Sequence, residues 1–296
     1  MSTCMLYLHY QRGNEVYFTS TNAVSSYEIK RRERILKVIV YAISVGLALL
    51  TLYPFVMMLV DFTGFKISNP ARMFKVLAHR GVEFAEFFKS RTVTGFIKSV
   101  IVTTCSTVLN VYFSAMTAYS ITGYNWKLKK IFSNFIVALM MIPNVVATSG
   151  FVQLVYKFHL TNSLAVLILP AIATPLSVVF MRLYLESTFS IEMVQSARID
   201  GAGEIRIFNQ IILPIMKPAI ATQAIFAITS TWNDAFLPLV LLTEENKKTL
   251  PVILILNTAL GERTIPIFVS TVPLVVVYLF LARHIVEGVQ LGSVKM

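Results

Sequence analysis

Charge, cysteine and histidine are all scarce in this sequence. Asp, Glu, Lys and Arg make up only 14% of its 296 residues, against 56% hydrophobic, and the mean hydropathy is +0.70. Soluble domains carry about 25% charged residues, so this chain cannot build a water-facing surface of ordinary extent. The two cysteines, Cys4 and Cys105, lie far apart, and His9, His79, His159 and His284 are scattered. That spacing excludes a disulfide framework and a clustered metal site. No Ser-His-Asp or Cys-His arrangement can be assembled from histidines so placed. A Gly-x-x-x-x-Gly-Lys-(Ser/Thr) loop for cradling phosphates is absent as well. Glu186, Glu192, Asp200 and Glu204 stand near one another, but a solvated loop accounts for them without catalysis. Residues 1–28 hold one basic residue, Arg12, and no long apolar core, so they do not read as a signal peptide.

What the chain does have is apolar runs of about 20 residues, the length that crosses the hydrocarbon core as a helix. The runs are continuous rather than alternating, which excludes a closed barrel. The predicted fold is therefore all-α and polytopic, with six spans at 35–60, 94–122, 132–156, 163–185, 219–242 and 265–286. Pro143 is expected to kink the third span, and Pro218 to open the fifth. An even count puts both termini on one side. Lys30, Arg31, Arg32, Arg34 and Lys37, then Lys127, Lys129 and Lys130, mark that side as cytosolic. The same rule explains most of the net charge of +11 and removes nucleic acid as a partner; membrane lipid is the expected surround. Residues 1–34 read as a polar, disordered cytosolic tail, and 35–296 as one membrane domain. The loop 61–93 is basic and has two readings, a solvated amphipathic segment or a docking surface for an acidic partner or anionic cargo.

The stretch 190–218 is too polar to span and too patterned for a slack loop. Ser190 is placed to cap a short helix over 191–200. Gly201 stands where helices end in a left-handed residue. A second helix is expected over 203–213, with Ile205, Phe208, Ile211 and Ile212 at helical spacing and Pro214 as its stop. Two short helices about a glycine turn form either a knob projecting from the membrane or an amphipathic hairpin lying on it.

This stretch resembles the EAA loop of ABC importer permeases. Gln195-Ser196-Ala197 stands in for Glu-Ala-Ala, Gly201 for the glycine, and Ile211-Ile212-Leu213-Pro214 for the closing apolar residues and proline. Gln195 replaces the usual Glu, which removes one charge from the loop. Trp232-Asn233-Asp234 with Phe236, Leu237 and Pro238 resembles the Trp-Asn-(Asp/Glu)-Phe signature of the carbohydrate branch. The tail around Gly288, Gln290, Gly292 and Lys295 resembles the closing pattern of its maltose-type subunit. The resemblance implies a permease subunit for a sugar, an oligosaccharide above all, that works as half of a heterodimer with a second related permease. It implies two ABC ATPase subunits, which hold the ATP and Mg, and an extracytoplasmic sugar-binding protein; no cofactor is expected on this chain. Glu192, Gln195, Ser196, Ala197, Asp200, Gly201, Ile211, Leu213 and Pro214 become the expected ATPase-coupling residues. Permeases for amino acids, polyamines or anionic saccharides remain the alternatives within the superfamily, and an intramembrane enzyme or passive channel the alternatives outside it.

Polar groups inside a span are costly and face a partner helix or a wet cavity. Thr222, Gln223, Thr229, Ser230, Thr231, Asn233 and Asp234 make the fifth span the most polar. Gln223, Ser230, Asn233 and Asp234, with Trp232 as an aromatic face, are the expected lining of the translocation path unless they bond to neighbouring helices instead.

Overall fold

The computed structural model describes residues 20–63, 91–257 and 268–280, and among these residues there is no β-strand. The expectations for residues 1–19, for most of the basic loop 61–93 and for the tail beyond residue 280 lie outside the described residues.

Helix α1 (Ser20–Thr63) stands as a unit by itself. Its apolar stretch Arg34–Met57 is 24 residues long, about 36 Å at 1.5 Å per residue, enough to cross a bilayer core. The helix starts at Ser20, upstream of the expected first span, so residues 20–34 are not an irregular tail. Nucleation is the costly step of helix formation. A preformed apolar span removes it, and the straight-chain run Glu28, Lys30, Arg31, Arg32, Glu33, Arg34 then propagates the helix cheaply.

The second unit is organised around α2 (Arg91–Gly123), whose stretch Thr92–Gly123 is again long and apolar enough to span. Next come α3 (Lys129–Leu139) and α4 (Asn144–Lys157), which meet at 97°. Here the expected third span is broken rather than gently kinked. Pro143 has no amide hydrogen to continue a helix, and its backbone is extended at φ −57° and ψ 131°. The short α5 (Ala165–Ile168), a 3-10 turn (Leu169–Ile172) and α6 (Pro175–Thr188) together form another stretch long enough to cross.

The segment after α6 carries α7 (Ile191–Ile199), α8 (Glu204–Ile215) and α9 (Lys217–Asn233), with α8 and α9 bent by 80°. Pro214 does not stop the second short helix as expected. Residues 208–212 form a π turn, and Pro214 sits two residues beyond it, inside the helix. The wider i→i+5 turn relieves the clash between a proline ring and the carbonyl four residues before it. The break falls at Met216 instead, and Pro218 lies in the first turn of α9 as expected. The expected fifth span is also interrupted. It ends at Asn233, and a short α10 (Phe236–Leu241) follows, then a 3-10 turn (Glu245–Lys247), α11 (Leu250–Asn257) and α12 (Phe268–Phe280).

Helix α2 packs chiefly against α6 and α9. Its inward face carries Ser99, Thr103, Ser106, Thr107, Asn110 and Ser114, all buried. Their spacing of three and four residues makes one helical stripe. Small side chains let membrane helices approach closely, and hydroxyls and amides bond across them. Asn110 Nδ2 donates to Thr174 Oγ1 at 2.7 Å, and Ser177 Oγ donates to Gln223 Oε1 at 3.0 Å, joining α6 to α9. The polar seam of this unit thus runs through the second apolar run as much as the fifth, which the composition of single spans did not indicate.

At the other end of α2, Ser99 Oγ accepts from the Leu250 amide at 2.9 Å and so caps α11 from a neighbouring helix. Gly95 makes the approach possible. A Cβ there would collide with Ile253 Cδ1 and come within 3.4 Å of Leu250 N and Lys248 O. Ile253 can rotate away from a methyl group, but backbone cannot yield to a larger side chain. Gly95→Val is therefore expected to cost about 1–3 kcal/mol through overpacking, with Gly95→Ala much milder. Thermal unfolding of the purified variants checks the order; equal midpoints for the two would overturn this account of the contact.

Candidate functional site

The knob begins at Ser190, whose backbone is extended as a cap residue should be (φ −116°, ψ 126°). Its hydroxyl donates to Glu192 Oε2 instead of accepting from a backbone amide. Glu192 lies in the first turn of α7, where a carboxylate is favoured by the helix dipole. Ser196 Oγ donates back to Glu192 O at 2.9 Å. Gly201 closes the helix with φ +77°. Its amide donates to Arg198 O at 3.0 Å, and the Ala202 amide to Ala197 O at 2.9 Å. That pair of bonds is a Schellman closure, so the glycine expected on spacing alone does occupy the left-handed region.

The root of the knob is buried. Val194, Ile207, Phe208, Ile212 and Met216 join one core with Ala115, Ala118 and Tyr119 of α2 and with Met181 and Leu185 of α6. Ala197, Ile211 and Leu213 are half-buried against it. The outer side is open. Glu192, Gln195, Ser196, Asp200, Gly201 and Pro214 are exposed. The two isoleucines flanking the turn are the most outward apolar groups, with Ile199 86% and Ile205 79% exposed. Ile205, expected on the buried face with Phe208 and Ile212, is on the opposite side. Ile205 lies in the first turn of α8, before the point where Ile207 and Phe208 enter the core, so helical spacing alone does not bury it.

Arg198 and Glu204 brace the two sides of the turn with an ion pair of 2.7 Å. Tyr124, in the segment after α2, donates its hydroxyl to Glu204 Oε2, and the Arg198 guanidinium sits over its ring, 5.4 Å from the centroid. The Arg198 bond, with the Tyr124 bond second, holds the Glu204 carboxyl below its usual value of 4.5. A depressed carboxyl contributes stability that is complete above the unfolded value and fades as pH falls through the folded one. The brace is therefore intact at neutral pH and weakens only below 4.5. Burial, then the bond to Glu204, raises the Tyr124 hydroxyl, which stays a proton donor. Tyr124 carries no local sequence signal for this role, because the knob groups it meets, Arg198 and Glu204, are distant in the chain, Glu204 by 80 residues.

The residues expected to line a path divide into two sets. Gln223 and Trp232 are buried. Gln223 accepts from Ser177, and Trp232 Nε1 donates to Ser270 O at 2.9 Å, tying α9 to α12. Ser230 and Asn233 are exposed on one face of α9 together with Phe226 and Thr229. Beside them, Trp232, Asn233, Leu250, Pro251, Ser270 and Thr271 border a cavity of about 140 Å³. Asp234 is half-buried at the helix break, and its Oδ1 accepts from the Phe236 amide at 2.9 Å and the Leu237 amide at 3.3 Å. It caps α10, which explains why the fifth run breaks here. Asp234→Ala is expected to cost about 1 kcal/mol, the usual value of such a cap, and to lower folded protein and transport together. Asn caps as well as Asp, so Asp234→Asn should restore the amount of folded protein in a detergent-extracted fraction. If the Asn variant is depleted like the Ala variant, capping is not what Asp234 does.

Among the described residues no three His, Cys, Asp or Glu side chains group as metal ligands. Residues 110–290 match the family described as the binding-protein-dependent transport system inner membrane component. The chain is 33% identical over 207 residues to the arabinooligosaccharides transport system permease protein AraQ of Halalkalibacterium halodurans, covering 68% of this chain and 74% of that one. It is 26% identical to the trehalose/maltose transport system permease protein MalG of Thermococcus litoralis, over 89% of this chain and 99% of that one. A chain of a bacterial ABC transporter involved in the import of the acidic polysaccharide alginate, solved by crystallography, superposes with a TM-score of 0.71. It covers 86% of this chain and 98% of its own length, at 20% identity, and so shares the fold. The relatives are transport permeases, and the family found by comparison is the one the loop, the Trp232-Asn233-Asp234 stretch and the tail resemble. The chain belongs to the family of inner membrane components of binding-protein-dependent transport systems.

Proposed function

We propose that this chain is one of two permease subunits of an ATP-driven importer, and that its cargo is an oligosaccharide delivered by an extracytoplasmic binding protein. The relatives named for arabinooligosaccharides and for trehalose/maltose support the cargo class. In this reading the chain crosses the membrane six times. The bent pair α3–α4 counts as one span and α9 with α10 as another, α12 belongs to the last, and both termini are cytosolic. ATP and Mg are held by two separate ATPase subunits, and this chain binds no cofactor.

The observation that carries the reading is the knob's division into a buried root and an open apolar tip. Val194, Ile207 and Phe208 fix the root in the core of α2 and α6, while Ile199 and Ile205 project beyond it. Such a body transmits a push. An ATPase that grips the tip around Asp200 and Gly201 displaces α7 and α8 together, and the shared core passes the movement to α2, α6 and α9. The cavity beside Asn233, at about 140 Å³, is smaller than the pockets of about 300–1,000 Å³ that enclose small molecules. The exposed polar face Thr229, Ser230, Asn233 therefore needs a second permease opposite it to enclose a sugar. Purification through a tag on this chain should recover a second related permease and an ATPase. Reconstituted with its binding protein, the complex should hydrolyse ATP faster when that protein carries oligosaccharide. A transport-competent assembly of this chain alone would overturn the proposal, and stimulation by an amino acid in place of any saccharide would overturn the cargo.

A further inference from the structure

The root of the knob is lined by aromatic rings from the end of α2. Tyr119 is 3% exposed and stacks on Phe208 at 5.9 Å and 24°. It meets Phe189 and Tyr124 edge-on at 6.3 and 5.3 Å. Tyr112 adds another edge contact to Phe208 at 5.5 Å. Gly123 shapes the exit of α2, since a Cβ there would come within 2.6 Å of the Tyr119 ring. The chain therefore leaves α2 directly over that ring and sets Tyr124 against the knob. Three interactions then converge on Tyr124: its hydroxyl bonds Glu204 of α8, its ring lies under Arg198 of α7, and its carbonyl accepts from Lys129 Nζ at 3.2 Å. Burial and Glu204 both raise the hydroxyl above its usual value, so it remains a donor throughout the physiological range.

The tip between Arg198 and Glu204 is a glycine turn at Gly201 with Gly203 beyond it, and neither glycine has a neighbour within 4 Å of a Cβ position. Left to itself, such a turn flexes, and a push on the tip is spent closing the angle between α7 and α8. The Arg198–Glu204 pair spans this turn, but both groups are well exposed, and exposed pairs are weak alone. Tyr124 holds both partners of the pair, and it belongs to neither α7 nor α8. Charge-assisted bonds and cation–π contacts are stronger than a bare surface pair.

We propose that Tyr124 is the positioning residue of the knob: it locks the 198–204 turn to the cytosolic end of α2, so that movement imposed at the tip enters α2 instead of being absorbed at Gly201. The inference rests on the coupling role assigned to the knob above. Without Tyr124 an ATPase can still bind the tip, because Ile199 and Ile205 do not depend on it, but the stroke is transmitted poorly. The loss appears in the number of substrates moved per ATP and not in assembly.

The test uses the complete reconstituted importer with its binding protein and cargo. Tyr124→Phe keeps the ring under Arg198 and removes only the hydroxyl; Tyr124→Ala removes both. Each is measured for membrane level, ATPase retained on the tagged complex, ATP hydrolysis and cargo uptake. Tyr124→Phe is expected to keep wild-type levels and ATPase retention while uptake per ATP falls about tenfold, the worth of one hydrogen bond to a charged group. Tyr124→Ala should fall further. Because Glu204 is the acceptor, Glu204→Gln combined with Tyr124→Phe should fall less than the two single losses multiplied. Wild-type uptake per ATP in Tyr124→Phe and Tyr124→Ala would overturn the inference. So would a loss that only follows the amount of folded protein, since a purely structural residue leaves the ratio unmoved. Failure of the underlying reading is distinguishable, because the wild-type complex would then retain no ATPase before any variant is made.

Discussion

Gly201→Val should insert, reach normal membrane levels and fail to couple ATP hydrolysis to transport. Gly201 holds φ +77°, a region that a β-branched residue enters only under strain. A Cβ at this position meets nothing within 4 Å, so crowding contributes nothing and the penalty is conformational alone, about 1–3 kcal/mol. The cheapest relief is to flip the turn, which breaks the bonds from the Gly201 amide to Arg198 O and from the Ala202 amide to Ala197 O. The tip then rotates relative to the buried root. A loss of this size is small for the stability of a packed membrane domain. It matches the coupling free energy of about 1–3 kcal/mol found between distant sites in allosteric proteins. The measurement is uptake and cargo-stimulated ATP hydrolysis of the reconstituted complex, normalised to folded protein. Wild-type coupling in Gly201→Val would remove the turn from the mechanism. Gly201→Asn provides an internal control, because Asn tolerates the left-handed region better than other residues with a side chain and should retain most of the activity.

Ile199→Asp and Ile205→Asp should release the ATPase without unfolding the permease. These side chains are 86% and 79% exposed, so the fold gains little from them and a charge there costs it little. At an interface the arithmetic reverses. Burying an isoleucine is worth roughly 1.5–3 kcal/mol, and placing a carboxylate in the same pocket adds an unpaired charge. Each substitution should weaken ATPase association by about 30-fold or more, and the double variant should abolish it. The same side chains would act differently in a hairpin lying on the bilayer. There an aspartate lifts the hairpin off the lipid while ATPase retention stays as it was. Retention of the ATPase on the tagged double variant at the wild-type level would thus favour the surface hairpin over the knob.

The substitutions at Gly201, Ile199 and Ile205 all act at the tip of one body, whose root is packed with aromatic rings. Tyr119, Phe208 and Phe189 fill the space beneath it, and aromatic pairs at such offsets contribute about 0.5–1.5 kcal/mol beyond their buried area. A rigid root and a glycine tip divide the work. In the proposed coupling, the root carries force and the tip sets the angle at which force arrives.

Much of this was legible in the chain because the signals are local. Spans announce themselves by continuous apolar runs, whose length is dictated by the bilayer. Gly201 and Pro218 are readable because backbone conformation constrains which residue can stand there, and Pro143 marks a break for the same reason. Ser190, Ala197 and Leu213 could be assigned to one loop because its spacing resembles a known pattern. What only the tertiary structure decided concerns partners distant in sequence and departures from regular geometry. The buried stripe from Ser99 to Ser114 looks like ordinary small residues in an apolar run, and its partners, Thr174 for Asn110 and the Leu250 amide for Ser99, come from distant parts of the chain. The bond from the Phe236 amide to the Asp234 carboxylate at the start of α10 has no signal in the run itself. Ile205 stands at the exposed start of α8 while Ile207 and Phe208 enter the core. Tyr124 acquired a role solely through Arg198 and Glu204. Periodicity and backbone preference are properties of a short window, whereas a side chain's partner depends on how the whole chain folds back upon itself.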